Sequence, residues 1–117
     1  VRFNMKGTHL GEFEEIVLLT IAALREDAYG LAIKKDLEEQ AARKITLSAV
    51  HAACNRLEAK GFLSAHFGEA TKMRGGKRKK IYSVSLKGQH ALKAAHSLRL
   101  KLWRRIPTTS FQVEVTW

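Results

Sequence analysis

The hydrophobic period of this chain changes at Gly61, and that change limits the folds open to it. Before Gly61, apolar residues recur every three or four positions, the spacing of one helix face; after it, two short segments alternate apolar and polar, the spacing of strands. Three helical segments, a hairpin and a last helix predict a mainly α domain of the α+β class.

The segment 11–27 is apolar nearly all round. Phe13, Ile16, Val17, Leu19, Thr20, Ala23 and Leu24 form a broad stripe, and Leu18, Ile21 and Ala22 carry it to the other side. A helix of that kind must be covered on every side. A chain of 117 residues offers little cover, so one face is expected on its own domain and another on a partner. A turn at 26–30 leads to a second helix at 30–42. Ile33, Leu37 and Ala41 form its inward row, with Lys34–Glu38 and Lys35–Glu39 at pairing distance.

The third helix, 48–60, is capped by Ser48 or Thr46 and buries Val50, Cys54 and Leu57. Gly61 supplies its left-handed stop. Helix, short connector and helix make a helix-turn-helix. Strands follow at 62–68 and 80–86, joined by a polar, basic tip with Gly75-Gly76. Ser85 caps a final helix, 86–106, which Pro107 ends. On it Ala91, Ala95, Leu98 and Leu102 are spaced four, three and four apart, the rhythm of a two-helix seam, with Leu92 and Trp103 beside them. In the tail, Phe111, Val113, Val115 and Trp117 alternate with polar residues, as an added strand or a free end. The expected divisions are an extension at 1–10, a DNA-binding domain at 11–86, a dimerisation helix at 87–106 and a tail at 107–117. Residues 1–4 read as lying upstream of a natural start at Met5.

Charge narrows the function. Lys and Arg number 21 against 11 Asp and Glu, a net charge of +10, which attracts polyanions. Nucleic acid leads, and an anionic membrane surface is the alternative. One cysteine, Cys54, precludes an internal disulfide and gives no sign of an oxidising compartment. The apolar run 16–24 is about half the roughly 18 residues of a membrane span. With no leader pattern in view, the cytoplasm is expected.

Helix-turn-helix, basic hairpin and positive charge together point to double-stranded DNA. The second helix of such a unit enters the major groove while the first braces it. The outward face of 48–60 carries Ser48, His51, Ala52, Asn55 and Ala59, small near its start and suited to base edges. Asn55 can pair bidentately with adenine, and His51 or Ser48 can reach a base or a phosphate. Arg56 and Lys60 lie at the flank, better placed for phosphates. The plainer alternatives are a capping Ser48, a solvated Asn55 and a surface or interface His51. In the hairpin, Lys72, Arg74, Lys77, Arg78, Lys79 and Lys80 crowd into nine positions without an acid. Such a run suits phosphates, each neutralised phosphate releasing a counterion, and is otherwise a solvated basic loop.

Catalysis has no visible machinery. His51 and Cys54 stand three apart on one helix, and His90 and His96 six apart on another, without the further ligands a metal needs. There is no phosphate loop, dinucleotide-binding glycine pattern or nucleophile elbow. Glu12, Glu14 and Glu15 begin a helix, where the dipole favours them. No enzyme, cofactor or metal is expected.

The chain resembles the PadR family of winged-helix regulators from about residue 10 to 106. The likeness is carried by Gly11-Glu12-Phe13-Glu14-Glu15-Ile16-Val17-Leu18-Leu19, Ala28-Tyr29-Gly30-Leu31-Ala32-Ile33 and Thr46-Leu47-Ser48. It continues through Asn55-Arg56-Leu57-Glu58-Ala59-Lys60-Gly61-Phe62-Leu63, Gly75-Gly76-Lys77-Arg78-Lys79-Lys80-Ile81-Tyr82 and Leu86-Lys87-Gly88. The resemblance implies a winged helix and a homodimer on a near-palindromic operator that usually represses. Phe13, Ile16, Val17, Ile21, Ala91, Ala95, Leu98 and Leu102 are the expected interface. The single terminal helix resembles the shorter branch of the family, some of whose members bind aromatic molecules between terminal helices. Trp103 would line such an effector pocket, the plainer alternative being a core or interface tryptophan. His51 stands where many members carry tyrosine, and Ser48 near a common glycine.

Two other partners compete. RNA readers stack bases on exposed aromatics, and few lie outside the expected core. A membrane-surface helix needs cations beside a bulky apolar face. Lys93, Arg99, Lys101, Arg104 and Arg105 on the last helix keep that alternative open, although no membrane partner is expected.

Overall fold

The computed structural model describes residues 9–70 and 78–111. Lys72, Arg74, Gly75, Gly76 and Lys77 of the hairpin tip, residues 1–4 and the alternating end of the tail lie outside them.

Helix α1 spans Glu12–Leu24. Its first turn is closed by Glu14, whose Oε1 accepts the Gly11 N–H at 2.9 Å. It ends earlier than 27, passing into a tight turn at Arg25–Asp27 with Arg25 at a φ of 55°. Helix α2, Gly30–Ala41, closes on a left-handed Ala42. Its Lys34–Glu38 pair forms at 2.7 Å. Ala41, expected inward, is exposed, because α2 runs past the edge of the core.

Helix α3 spans Leu47–Ala59. Of the two candidate caps, Thr46 takes the role, its hydroxyl accepting the Ala49 N–H at 3.1 Å. Ser48 lies inside the first turn, which frees it from capping. Gly61 has a φ of 78°, the left-handed stop that lets the chain leave the helix for a strand.

Strands β1, Leu63–Ala70, and β2, Arg78–Val84, pair antiparallel from Leu63 opposite Val84 to Phe67 opposite Lys80. The register is irregular between Phe67 and Ala70. The other edge of β2 is also held. Tyr29 bridges Ile81, and the Tyr82 N–H donates to the Ala28 carbonyl at 2.8 Å. The wing is thereby rooted in the turn between α1 and α2.

Helix α4 spans Leu86–Arg104. Ser85 caps it, accepting the Gly88 N–H at 3.0 Å while donating to the Gly61 carbonyl at 2.6 Å. Beyond Pro107 the chain turns, Ser110 N–H to Pro107 carbonyl, and brings the Phe111 ring 6.1 Å from that of Trp103.

The core gathers Val17, Leu18 and Ile21 of α1, Ile33 and Leu37 of α2, Val50, Cys54 and Leu57 of α3, and Phe62 and Tyr82 of the hairpin. Each large side chain fully buried contributes about 1.5–3 kcal/mol. Val17 and Ile21, expected at the dimer interface, are 0% and 1% exposed within one chain and offer a partner nothing. The reason is the position of α1, which contacts α2, α3, β2 and α4 and gives its middle face to its own domain. Phe13 and Ile16 are half-buried, and Leu19, Ala22 and Ala23 are exposed. These form the remaining outer face of α1.

Candidate nucleic-acid interface

The outward face of α3 borders a groove of about 510 Å³ whose other walls are the start of α2 and strand β2. Leu47, His51 and Asn55 line it from α3, Tyr29 to Leu31 from the α2 side, and Arg78, Lys79, Lys80 and Tyr82 from β2. Helix and wing thus face one another across a single cleft. Ser48 and Ala52 are exposed on the same outward face of α3.

Three local contacts shape the groove. A β-carbon on Gly30 would stand 2.6 Å from His51 Nε2, so only glycine lets the imidazole lie this close to the start of α2. Lys79 Nζ sits 4.1 Å from the centroid of the Tyr29 ring, a cation held over an aromatic face. Lys80 Nζ pairs with Glu58 at 3.2 Å and lies 5.4 Å from the Tyr82 ring. Lys79 and Lys80 are both half-buried, and Arg78 is exposed.

Arg56 and Lys60, expected at the phosphate flank, lie on another side of α3 and are bound to Glu14. Arg56 Nε reaches Glu14 Oε2 at 3.1 Å and Lys60 Nζ reaches Oε1 at 2.7 Å. Lys60 also donates to the His9 carbonyl, and its side chain is 21% exposed against 53% for Arg56. Burial by itself would raise the Glu14 carboxyl, but the hydrogen bonds of Lys60, Gly11 and Arg56 outweigh it and hold the group below its ordinary range. The sequence signal for this network is faint, since Glu14 looks like one of three surface carboxylates serving the helix dipole.

Cys54 lies on the inward side of α3 with 0% exposure. Burial first, and Glu58 second, push its thiol up to about 12, and burial does the same for the neighbouring Tyr82 hydroxyl. A thiol kept protonated is a poor nucleophile and a poor ligand. Among the described residues no three His, Cys, Asp or Glu side chains gather as a metal site. No helix among them is long and apolar enough to cross a membrane.

A second, apolar groove of about 450 Å³ runs along α4, lined by Leu10, Phe62, Ala91, Ala95, Leu98 and Leu102 among others. Ala91 and Ala95 are half-buried, whereas Leu98, Leu102 and Trp103 are 56%, 47% and 65% exposed. Arg99 ties this helix to α1 through two hydrogen bonds to Glu15, at 3.2 and 2.6 Å. That carboxylate raises the pKa of the Arg99 guanidinium.

A helix-turn-helix whose second helix shares a groove with a basic hairpin defines a winged-helix protein. Residues 18–94 match the Transcriptional regulator PadR-like family, and the chain belongs to it. Among solved structures it is similar to a PadR-like transcription factor from Bacteroides fragilis, 23% identical with a TM-score of 0.68 over 86% of this chain and 88% of that one. A PadR-family regulator from Eggerthella lenta is 26% identical, with a TM-score of 0.62 over 80% of each chain. One from Clostridium difficile is 21% identical, with a TM-score of 0.61 over 79% of this chain and 92% of that one. No curated protein sequence matches the chain.

Proposed function

We propose that the chain is a sequence-specific, DNA-binding transcriptional repressor that acts without catalysis. The observation that carries this reading is the shared groove, in which α3 presents His51 and Asn55 opposite Arg78, Lys79 and Lys80 of the wing. In this reading α3 lies in the major groove, with Ala52 and Asn55 toward base edges and Ser48 and His51 reaching a base or a phosphate. Arg78, Lys79 and Lys80, with Lys72, Arg74 and Lys77 of the tip, follow the backbone into the adjacent minor groove. Arg56 supports a phosphate contact only with the part of its side chain left free by Glu14.

Residues 11–86 form the DNA-binding unit and 87–106 the dimerisation helix. The exposed Leu98 and Leu102, with Ala91 and Ala95 in the same row, support burial against a second copy, joined by Phe13 and Ile16. Two copies related by a twofold axis fit a near-palindromic operator. The exposure of Trp103 beside that row supports a lining role toward a small aromatic effector. The work is placed in the cytoplasm, with the DNA.

Selection from a randomised duplex pool across a salt series, with the solution mass measured in the same buffer, tests the reading. A palindrome enriched by a dimer, with affinity falling steeply as salt rises, is the expected result. Salt-sensitive binding with no enriched sequence overturns it and points to a basic module for RNA or anionic membranes.

A further inference from the structure

We propose that duplex binding in the groove between α3 and β2 takes up a proton at His51, so that the chain grips DNA more tightly as the pH falls through the neutral range. The inference rests on reading that groove as the nucleic-acid interface.

Among the described residues lining the groove, imidazole is the one side-chain type whose ordinary titration falls near neutrality. His51 is exposed and edges the groove, with Nε2 against the start of α2. The groups that line the cleft with it come from three directions. Before α2 stands Tyr29, and the first turn of α2 adds only the uncharged Gly30 and Leu31. From β2 come Arg78, Lys79, Lys80 and Tyr82. On α3 its groove neighbours are Leu47 and Asn55, both uncharged. Among the described residues no carboxylate lines the groove, and Glu58, which reaches its margin, is already paired with Lys80 at 3.2 Å.

In the free chain, then, no carboxylate among the described residues of the groove compensates a charged imidazole. A phosphodiester strand laid there supplies one, and its oxygens accept a hydrogen bond from imidazolium that neutral imidazole offers from only one nitrogen. The bound state therefore holds the proton more firmly than the free state. The linkage is reciprocal, so a ligand that favours the protonated form binds better where protons are plentiful. The other imidazoles of the described chain serve as internal controls. His9 and His90 lie along the groove of α4, His66 is on β1 and His96 on α4, and none lines the cleft.

The test measures the Kd of the full chain for the best duplex of a randomised pool at fixed salt, between about pH 8 and about pH 6, an interval in which phosphodiesters keep their charge and imidazoles do not. Wild type should bind at least about fivefold more tightly at the acid end. His51→Gln, which keeps hydrogen-bonding capacity without titrating, should bind with a flat profile. Its helical circular dichroism should match wild type, because the residue is exposed. The ring signals of His51 should also titrate at higher pH with duplex present than without it. A flat wild-type profile, an unchanged slope in His51→Gln, or an unmoved titration midpoint overturns the proposal while leaving the interface standing. Failure to bind duplex at any pH overturns the interface reading itself.

Discussion

Glu14 accepts a hydrogen bond from Lys60 Nζ at 2.7 Å across the contact between α1 and α3, from a position 6% exposed. The pair joins α1 to α3, and Arg56 completes it. Because the folded carboxyl titrates below its ordinary value of 4.5, its stabilisation is complete above that value and fades as the pH falls through the depressed one. Glu14→Gln should cost about 1–3 kcal/mol at neutral pH. The gap from wild type should close as the pH falls below that depressed value, where both chains are uncharged at this position. Denaturant titrations at the two pH values check this. An equal gap at both would show that the charge of Glu14 adds nothing.

Gly88 is set by a different constraint. It lies buried in the first turn of α4, and a β-carbon there would overlap the Phe62 carbonyl oxygen and stand 2.9 Å from Val84 Cγ1. Backbone cannot yield as a side-chain tip does. Gly88→Ala should therefore destabilise the chain by about 1–3 kcal/mol, read as a lowered Tm, despite the better helix propensity of alanine.

In the wing, replacing Lys77, Arg78 and Lys79 together with alanine should weaken binding to every duplex alike. The slope of log K against log salt should shrink by about three, one for each lost phosphate contact. An unchanged slope would place these cations away from the backbone.

Asn55→Ala should behave otherwise. It should relax the preference at one base position by about 1–3 kcal/mol and leave the salt slope in place. Affinity measured against a panel of single-base operator variants distinguishes the two patterns. A uniform loss across the panel would mean that Asn55 reads no base.

On α4, Leu98→Asp combined with Leu102→Asp places charge on two side chains that are half exposed in the single chain. The fold should survive and the dimer should not, since burying either carboxylate costs several kcal/mol. Light scattering should report the mass of one chain. A dimer that persists would move the interface away from this row.

Much of the fold was legible because it is written locally. The switch of period at Gly61, the left-handed geometry of that residue and the cap at Ser85 all follow from neighbours within a few positions. What escaped depends on distant partners. Glu14 meets Lys60 and Arg56 more than forty residues away, so nothing near it in sequence marks it as buried. For the same reason Val17 and Ile21 read as candidates for any apolar contact, and only the placement of α1 between four elements assigns them to the interior. The groove was half legible: His51 and Asn55 follow from helical spacing. Tyr29 does not, because it reaches the site through the bridge to Ile81.

That bridge also decides where a pull on the hairpin is felt. Ala28, Tyr29, Ile81 and Tyr82 are joined through main-chain pairing, so load applied to the wing passes into the α1–α2 junction along peptide groups. No side-chain truncation severs such a route. Alanine scanning would pass over it, and an amide-to-ester exchange at Tyr82 would expose it.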